Sequence, residues 1–196
     1  MRSGLQRVIS SEAEITRYDT IVGDGDCGVG LKRGAEGILK YLNSEEISND
    51  AVLNLSNIVQ VVEKTMDGTS GALYAIFLNA LTHDLRIQGG SSPGPVTSAI
   101  WSKALTRSLE ALERYTPAQP GDRTLMDAFV PFIEILRKTG NTKEAADAAK
   151  KGADSTKGMR PKLGRTVYVG GQGWKDVPDP GAYGLCEFFK GVAEGL

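Results

Sequence analysis

Tyr18-Asp19-Thr20-Ile21-Val22-Gly23-Asp24-Gly25-Asp26-Cys27-Gly28 places three carboxylates within eight residues. Such a cluster repels itself unless positive charge lies between its members. Glycines at 23, 25 and 28 let the backbone bend tightly and expose its N–H groups. Helical periodicity resumes at Val29, so the run also ends at a helix N-terminus. A hard cation with phosphate oxygens satisfies every part of this. The carboxylates Asp19, Asp24 and Asp26 take Mg²⁺, and the amides and helix dipole take the phosphate. The run reads as a Mg-nucleotide loop between two structural elements.

Other readings of the same residues fit less well. Gly23 to Gly28 literally matches GxGxxG. A dinucleotide loop, however, brings pyrophosphate onto bare backbone, and Asp24 and Asp26 would repel it. No strand-helix-strand unit follows. Counting Asp24 as the first position of an EF-hand puts Ala35 at the twelfth, where a bidentate Glu is needed. An Asp/Gly surface turn is the bland alternative.

Outward from this run, the pattern is helical. Leu5, Val8, Ile9, Ala13 and Ile15 mark a mixed segment over 3–17. Leu31, Ala35, Ile38 and Leu42 recur at helical spacing over 29–42. Asn49-Asp50 can cap a helix running to about 65. Further stripes cover 70–85, 96–115 and 124–138. An alanine-rich segment spans 143–158, and Leu185, Phe188, Phe189 and Val192 mark 182–194. About eight helices result. The strand-like stretches, 19–22 and 166–169, are too short to found a sheet, so the expected class is all-α. Glycine and proline collect in the breaks at 89–95, 117–121, 140–141 and 158–181. The last is too long for an ordinary connection and suggests a site. No internal repeat or domain boundary is evident.

Composition is that of a globular domain. The chain has 196 residues, a formal net charge of −1 and a pI of about 5.9. This balance argues against general nucleic-acid binding. No stretch is apolar enough for a membrane span, and the N-terminus lacks the apolar core of a signal peptide. Cys27 and Cys186 read as reduced thiols of a cytoplasmic protein. His83 is the only histidine, and Leu-Thr-His-Asp-Leu reads as a helix surface rather than a catalytic setting.

Three further motifs can hold a nucleotide, and each also has a structural reading. Thr69-Ser70-Gly71 opens a helix and supplies hydroxyl and amide donors, or simply an N-cap. Gly121-Asp122-Arg123-Thr124 precedes another helix, where Asp122 can cap and Arg123 can pair locally. Asp179-Pro180-Gly181-Ala182 has the cap-then-proline pattern of a helix start. Arg165, in a glycine-rich loop just before it, suits a phosphate clamp.

Together these motifs resemble the nucleotide-binding domain of dihydroxyacetone kinases, often called the DhaL domain. The resemblance covers essentially the whole chain, 1–196, as one domain. It rests on Asp19 to Gly28, Met66 to Tyr74, Pro120 to Ala128, Gly152-Ala153 with Thr156 and Met159, Gly164-Arg165, and Asp179 to Ala182. It implies a barrel of eight antiparallel helices with the nucleotide at one mouth. It implies two Mg²⁺ ions on Asp19, Asp24 and Asp26. ATP or ADP contacts fall on Cys27, Gly28, Val29, Gly30, Thr69, Ser70, Thr116, Leu125, Arg165, Asp179, Pro180 and Gly181. Thr116 lies in a loop that varies. Cys27 resembles the single-chain ATP-dependent kinases of fungi and animals, where relatives using a phosphoenolpyruvate-derived donor tend to carry His. Asp67 stands where the family commonly has glycine, which changes the charge near the phosphates.

The resemblance further implies the C-terminal part of a longer kinase, a homodimer when full-length. ATP would be the donor. A separate domain would hold dihydroxyacetone or glyceraldehyde, leaving the isolated chain with little turnover. Three readings compete with this: a non-catalytic nucleotide-binding adaptor, the ATP-binding part of a fatty-acid kinase, and an FAD-cyclising side activity.

Overall fold

The protein is described here by a computed structural model covering residues 1–89 and 95–196. Most of the 89–95 break expected from sequence therefore lies outside the described residues. Among the described residues there are nine α-helices and no strands. They are α1 (Arg2–Ser10), α2 (Glu12–Val22), α3 (Cys27–Leu42), α4 (Ala51–Thr65), α5 (Gly68–Gly89), α6 (Ser98–Leu112), α7 (Met126–Thr139), α8 (Thr142–Ser155) and α9 (Pro180–Glu194). The strand-like stretch 19–22 is the last turn of α2. Its companion at 166–169 begins in a short 3₁₀ turn, Arg165–Val167.

Local chemistry sets the starts. Asp50 accepts from the Val52 and Leu53 amides at 2.8 and 3.1 Å, so it caps α4 as its sequence position suggests. Thr97, Asn141 and Asp179 cap α6, α8 and α9 in the same way. Pro180 follows its cap at the first helical position, where its missing N–H costs nothing.

The helices close into a ring. Each of α3 to α9 packs on the next in sequence, and α9 returns to α1 and α2, which pack on α3. The segment read as one helix over 3–17 is two helices, broken only at Ser11. Together they fill one position in the ring, which therefore has the eight positions expected. Side-chain pairings give the directions. Gly28 lies against Glu12 and Thr16 of α2, whereas Arg2 of α1 reaches Leu42 and Asn43 at the other end of α3. Gly34 meets Met66 and Tyr41 bonds Asn54, so α3 and α4 are antiparallel. Gly184 contacts Ile15 while Gly191 meets Gly4, so α9 is antiparallel to the α1–α2 unit.

The buried side chains form two clusters. One joins α1 to α4 through Leu5, Ile15, Leu31, Ile38, Ile58 and Val62. A larger one is centred on α7 and α9, where Phe132 and Phe189 stack at 3.6 Å and Phe129 meets Phe77 edge-on at 4.5 Å. Burial of each such side chain contributes roughly 1.5–3 kcal/mol before entropy is counted.

Pro131 interrupts the apolar stripe of α7 and has no N–H for the carbonyl four residues earlier. That carbonyl belongs to Asp127. It lies so close to Gly152 of α8 that any Cβ there would collide with it. Proline and glycine thus act as a pair: one releases an acceptor, and the other lets a neighbouring helix approach it. Gly152→Ala is expected to destabilise by about 2–3 kcal/mol, as overpacking against backbone does. Gly30→Ala meets nothing within 4 Å and is expected to stabilise by about 0.5–1 kcal/mol through helix propensity. Urea denaturation of the two variants checks both signs.

Candidate metal-nucleotide site

Because the ring runs up and down, alternate connections share one mouth. The α2–α3, α4–α5, α6–α7 and α8–α9 connections all fall at the same end. These carry every motif singled out in the sequence. The N-termini of α3, α5, α7 and α9 open there too, each with partial positive charge; first-turn amides stay unpaired on α3 and α5, whereas those of α7 are taken up by Thr124 and Leu125.

Asp19 lies in the last turn of α2 and is buried, while Asp24 and Asp26 are exposed in the turn that follows. Oxygens from all three lie within 4.8 Å of one another. Asp19 accepts from the Cys27 amide at 2.9 Å, so its carboxylate is fixed across the start of α3. Gly23 leaves room for it, since a Cβ there would strike the Asp19 carboxylate. Gly25 adopts φ +80°, which lets the chain reverse between Asp24 and Asp26. Partial desolvation, then Asp24 and Asp19, push the Asp26 carboxyl above its ordinary range, against the pull of Arg165. Three hard oxygen donors converging from separate backbone positions, with mutual repulsion only partly offset by Arg165, fit Mg²⁺.

The expected nucleotide contacts surround this cluster. Gly28 is buried against Glu12 and Thr16, whereas Val29 and Gly30 face open space in the first turn of α3. Thr69 and Ser70 sit in the first turn of α5. Leu125 precedes α7 and packs beside Gly181 in the first turn of α9. Arg165 reaches across from the α8–α9 connection and pairs with Asp24 at 2.8 Å. Asp179 caps α9, and burial pushes its carboxyl up to about 6. Thr116 belongs to the same mouth, and its hydroxyl accepts from the Ala118 amide within its own loop. Asp67 is drawn aside by Arg33 at 2.5 Å, which also bonds the Thr65 carbonyl.

Two neutral side chains line the mouth. Burial, followed by Asp19 and Asp179, pushes the Cys27 thiol far above its ordinary range. Burial acts likewise on the Tyr74 phenol, which lies near Cys27 and Asp179. His83 is exposed on α5, as expected of a surface histidine.

Sequence reasoning did not find how the long loop is held. Buried Asp127 accepts from the Gly121 and Thr124 amides at 2.6 and 2.8 Å and shapes the α6–α7 connection. Arg123, read as a local partner, is instead fully buried with φ +62°. It donates to the Val177 carbonyl at 3.0 Å and lies 3.8 Å from Asp179. Lys162 bonds Asp122 at 2.9 Å, and Thr156 accepts from the Asp179 amide at 2.7 Å. Gly173 packs on Ile21 of α2. The loop is a folded cover fastened to three sides of the mouth.

The DAK2 domain profile matches residues 21–194. This chain belongs to the DAK2 domain family. It is 42% identical over 206 residues to the dihydroxyacetone kinase of Pichia angusta, covering 99% of this chain and 33% of that protein. It is 42% identical over 197 residues to dihydroxyacetone kinase 1 of Saccharomyces cerevisiae, covering 100% and 33%. The fold matches the crystal structure of the dihydroxyacetone kinase of C. freundii, with a TM-score of 0.81 in its native form and 0.77 in its complex with AMP-PNP and Mg²⁺. Identity is 27%, and the match covers 100% of this chain and 33% of that one. The DAK2 chain thus spans about a third of the relatives it matches. Among its described residues, no helix is long and apolar enough to cross a membrane.

The repulsion within the cluster gives a test. A carboxyl whose folded pKa is raised destabilises the fold once pH exceeds its unfolded pKa, so neutralising it helps at pH 7. In EDTA, Asp26→Asn is expected to raise stability by about 0.5 kcal/mol, an effect that fades with added salt. With Mg²⁺ present the order should reverse, the wild type gaining and the variant not. Denaturation midpoints under the two conditions decide it.

Proposed function

We propose that this chain is the Mg-nucleotide-binding domain of a dihydroxyacetone kinase. It presents ATP to dihydroxyacetone or glyceraldehyde held by a separate substrate-binding domain. The observation that carries this is the meeting of Asp19, Asp24 and Asp26 with four helix N-termini at one mouth. Carboxylates alone would repel a polyphosphate, and amide ends alone would not hold a cation. Only a ligand that is both, a metal-polyphosphate, suits the two together.

The carboxylates of Asp19, Asp24 and Asp26 would hold the metal, as two ions. Bound Mg²⁺ supplies charge neutralisation and alignment of the transferred phosphoryl group. The remaining work belongs to the protein. First-turn amides of α3, at Gly28 and Val29, and the hydroxyls of Thr69 and Ser70 donate to phosphate oxygens, while Gly30, its own amide held by the Asp26 carbonyl, leaves open space for the ligand. Arg165 exchanges its exposed pairing with Asp24, a weak interaction in water, for a charge-assisted bond to phosphate. Leu125 and the Asp179-Pro180-Gly181 turn bound the nucleotide on the opposite side. The absence of a Walker lysine motif in the sequence leaves charge compensation to the metal, Arg165 and the helix ends. The acceptor hydroxyl comes from the partner domain. The C. freundii kinase complex with AMP-PNP and Mg²⁺ supports this reading by fold.

Titration calorimetry tests it. The chain is expected to bind ADP in Mg²⁺ and to lose at least 100-fold in affinity in EDTA. Asp24→Asn should lose binding, and Arg165→Ala should weaken it about tenfold, ~1.4 kcal/mol. Dihydroxyacetone phosphorylation should be negligible for the chain alone and appear when the substrate-binding part of a relative is added. Failure of the folded wild type to bind Mg-ADP would sink the proposal.

A further inference from the structure

The mouth contains a fully buried cation that the nucleotide reading leaves unused. Arg123 is fully buried, sits in left-handed backbone that non-glycine residues rarely adopt, and has an Nε with no hydrogen-bond partner. Each property is costly, so the guanidinium must be held there by what its other nitrogens reach. Those nitrogens span the cover loop. Nη2 donates to the Val177 carbonyl at 3.0 Å on the strand of loop returning to α9. Nη1 faces the Thr166 hydroxyl at 3.4 Å on the outgoing strand, and the Asp179 carboxylate at 3.8 Å at the start of α9. Thr166 adjoins Arg165, which pairs with Asp24. One rigid fork, rooted in the α6–α7 connection, thus ties both limbs of the α8–α9 loop together beneath the arginine that reaches the acidic cluster.

The geometry points to Arg123 as a positioning residue that latches the α8–α9 loop, setting Arg165 and the Asp179 turn in place for the Mg-nucleotide. It touches neither metal nor phosphate itself. This rests on the Mg-nucleotide reading, but its first consequence, loop order without ligand, does not.

Hydrogen–deuterium exchange by mass spectrometry and Mg-ADP calorimetry, on the wild type, R123Q, R123K and T166V, test it. In R123Q, amides over 164–177 are expected to exchange at least tenfold faster while those of α7 and α8 stay protected. Affinity for Mg-ADP should fall about tenfold. R123K keeps the charge and one bond, and should recover to within about threefold of wild type. T166V alters only a half-exposed loop hydroxyl and cannot unfold the barrel. It should speed exchange around 165–168 and weaken Mg-ADP two- to threefold. An R123Q protein with wild-type loop exchange and affinity overturns the latch. So does an R123Q that fails to fold beside a T166V that matches wild type in both readouts, because Arg123 would then serve the barrel and not the loop. If the wild type takes up no Mg-ADP, the nucleotide reading fails, and the ligand-free exchange comparison decides the latch by itself.

Discussion

An up-and-down ring of helices has two mouths, and its connections must alternate between them. That constraint brings the candidate site residues together at one mouth. Eight positions give four N-termini at one end, those of α3, α5, α7 and α9, with open first-turn amides on α3 and α5. No single helix end is unusual. What sets this mouth apart is that the open first turns of α3 and α5 share it with the Asp19, Asp24 and Asp26 cluster. The opposite mouth has four N-termini too, those of the α1–α2 unit, α4, α6 and α8, and so the helix ends alone do not distinguish the two. Residues separated by more than a hundred positions, Asp24 and Arg165, are neighbours for this topological reason.

The acidic residues divide into two kinds by their partners. Asp127 is buried and satisfied by two backbone amides, and Asp50 and Asp179 accept from the helix turns they cap. These carboxylates are consumed by structure. Asp24 and Asp26 are exposed, and their close neighbours are each other, Asp19 and the exposed Arg165. Their charge is left for a ligand. Asp19 bridges the two kinds: one oxygen takes the Cys27 amide and fixes the carboxylate at the start of α3, and the other faces the cluster. A carboxylate anchored in this way loses little freedom when a cation arrives, which favours tight coordination.

The helices were legible because seven of the eight segments carry an apolar stripe or strong helix formers, and because caps such as Asp50 and Asp179 announce their starts. The acidic cluster was legible because its members are close in sequence. Three things were not. The break at Ser11 leaves the apolar pattern nearly in phase, so two helices read as one. The β-branched residues Thr20, Ile21 and Val22 imitate a strand, and only packing against α3 and the cover loop makes them helical. The hold on the α8–α9 loop depends on bonds from Arg123 to Val177 and from Thr156 to Asp179, separated by 54 and 23 residues. Such side-chain-to-backbone contacts have no period and no composition, so nothing in the sequence around Gly121-Asp122-Arg123-Thr124 pointed across the mouth.

Asp67 shows how the local environment decides what a substitution means. Where the family commonly has glycine, an added carboxylate at the start of α5 would be expected to oppose phosphate on Thr69 and Ser70. Position and partner change that expectation. The side chain is directed outward to Arg33, whose guanidinium also binds the last carbonyl of α4 at Thr65. The new negative charge arrives with a cation already fixed by backbone, and Gly68, at φ +67°, still supplies the turn that aims α5 at the mouth. Arg33 and Asp67 together are neutral, whereas glycine would leave the Arg33 charge unbalanced at the rim. The clasp between α3 and the α4–α5 turn adds a contact that glycine could not make. The carboxylate is spent on that clasp, at the turn that leads into Thr69 and Ser70.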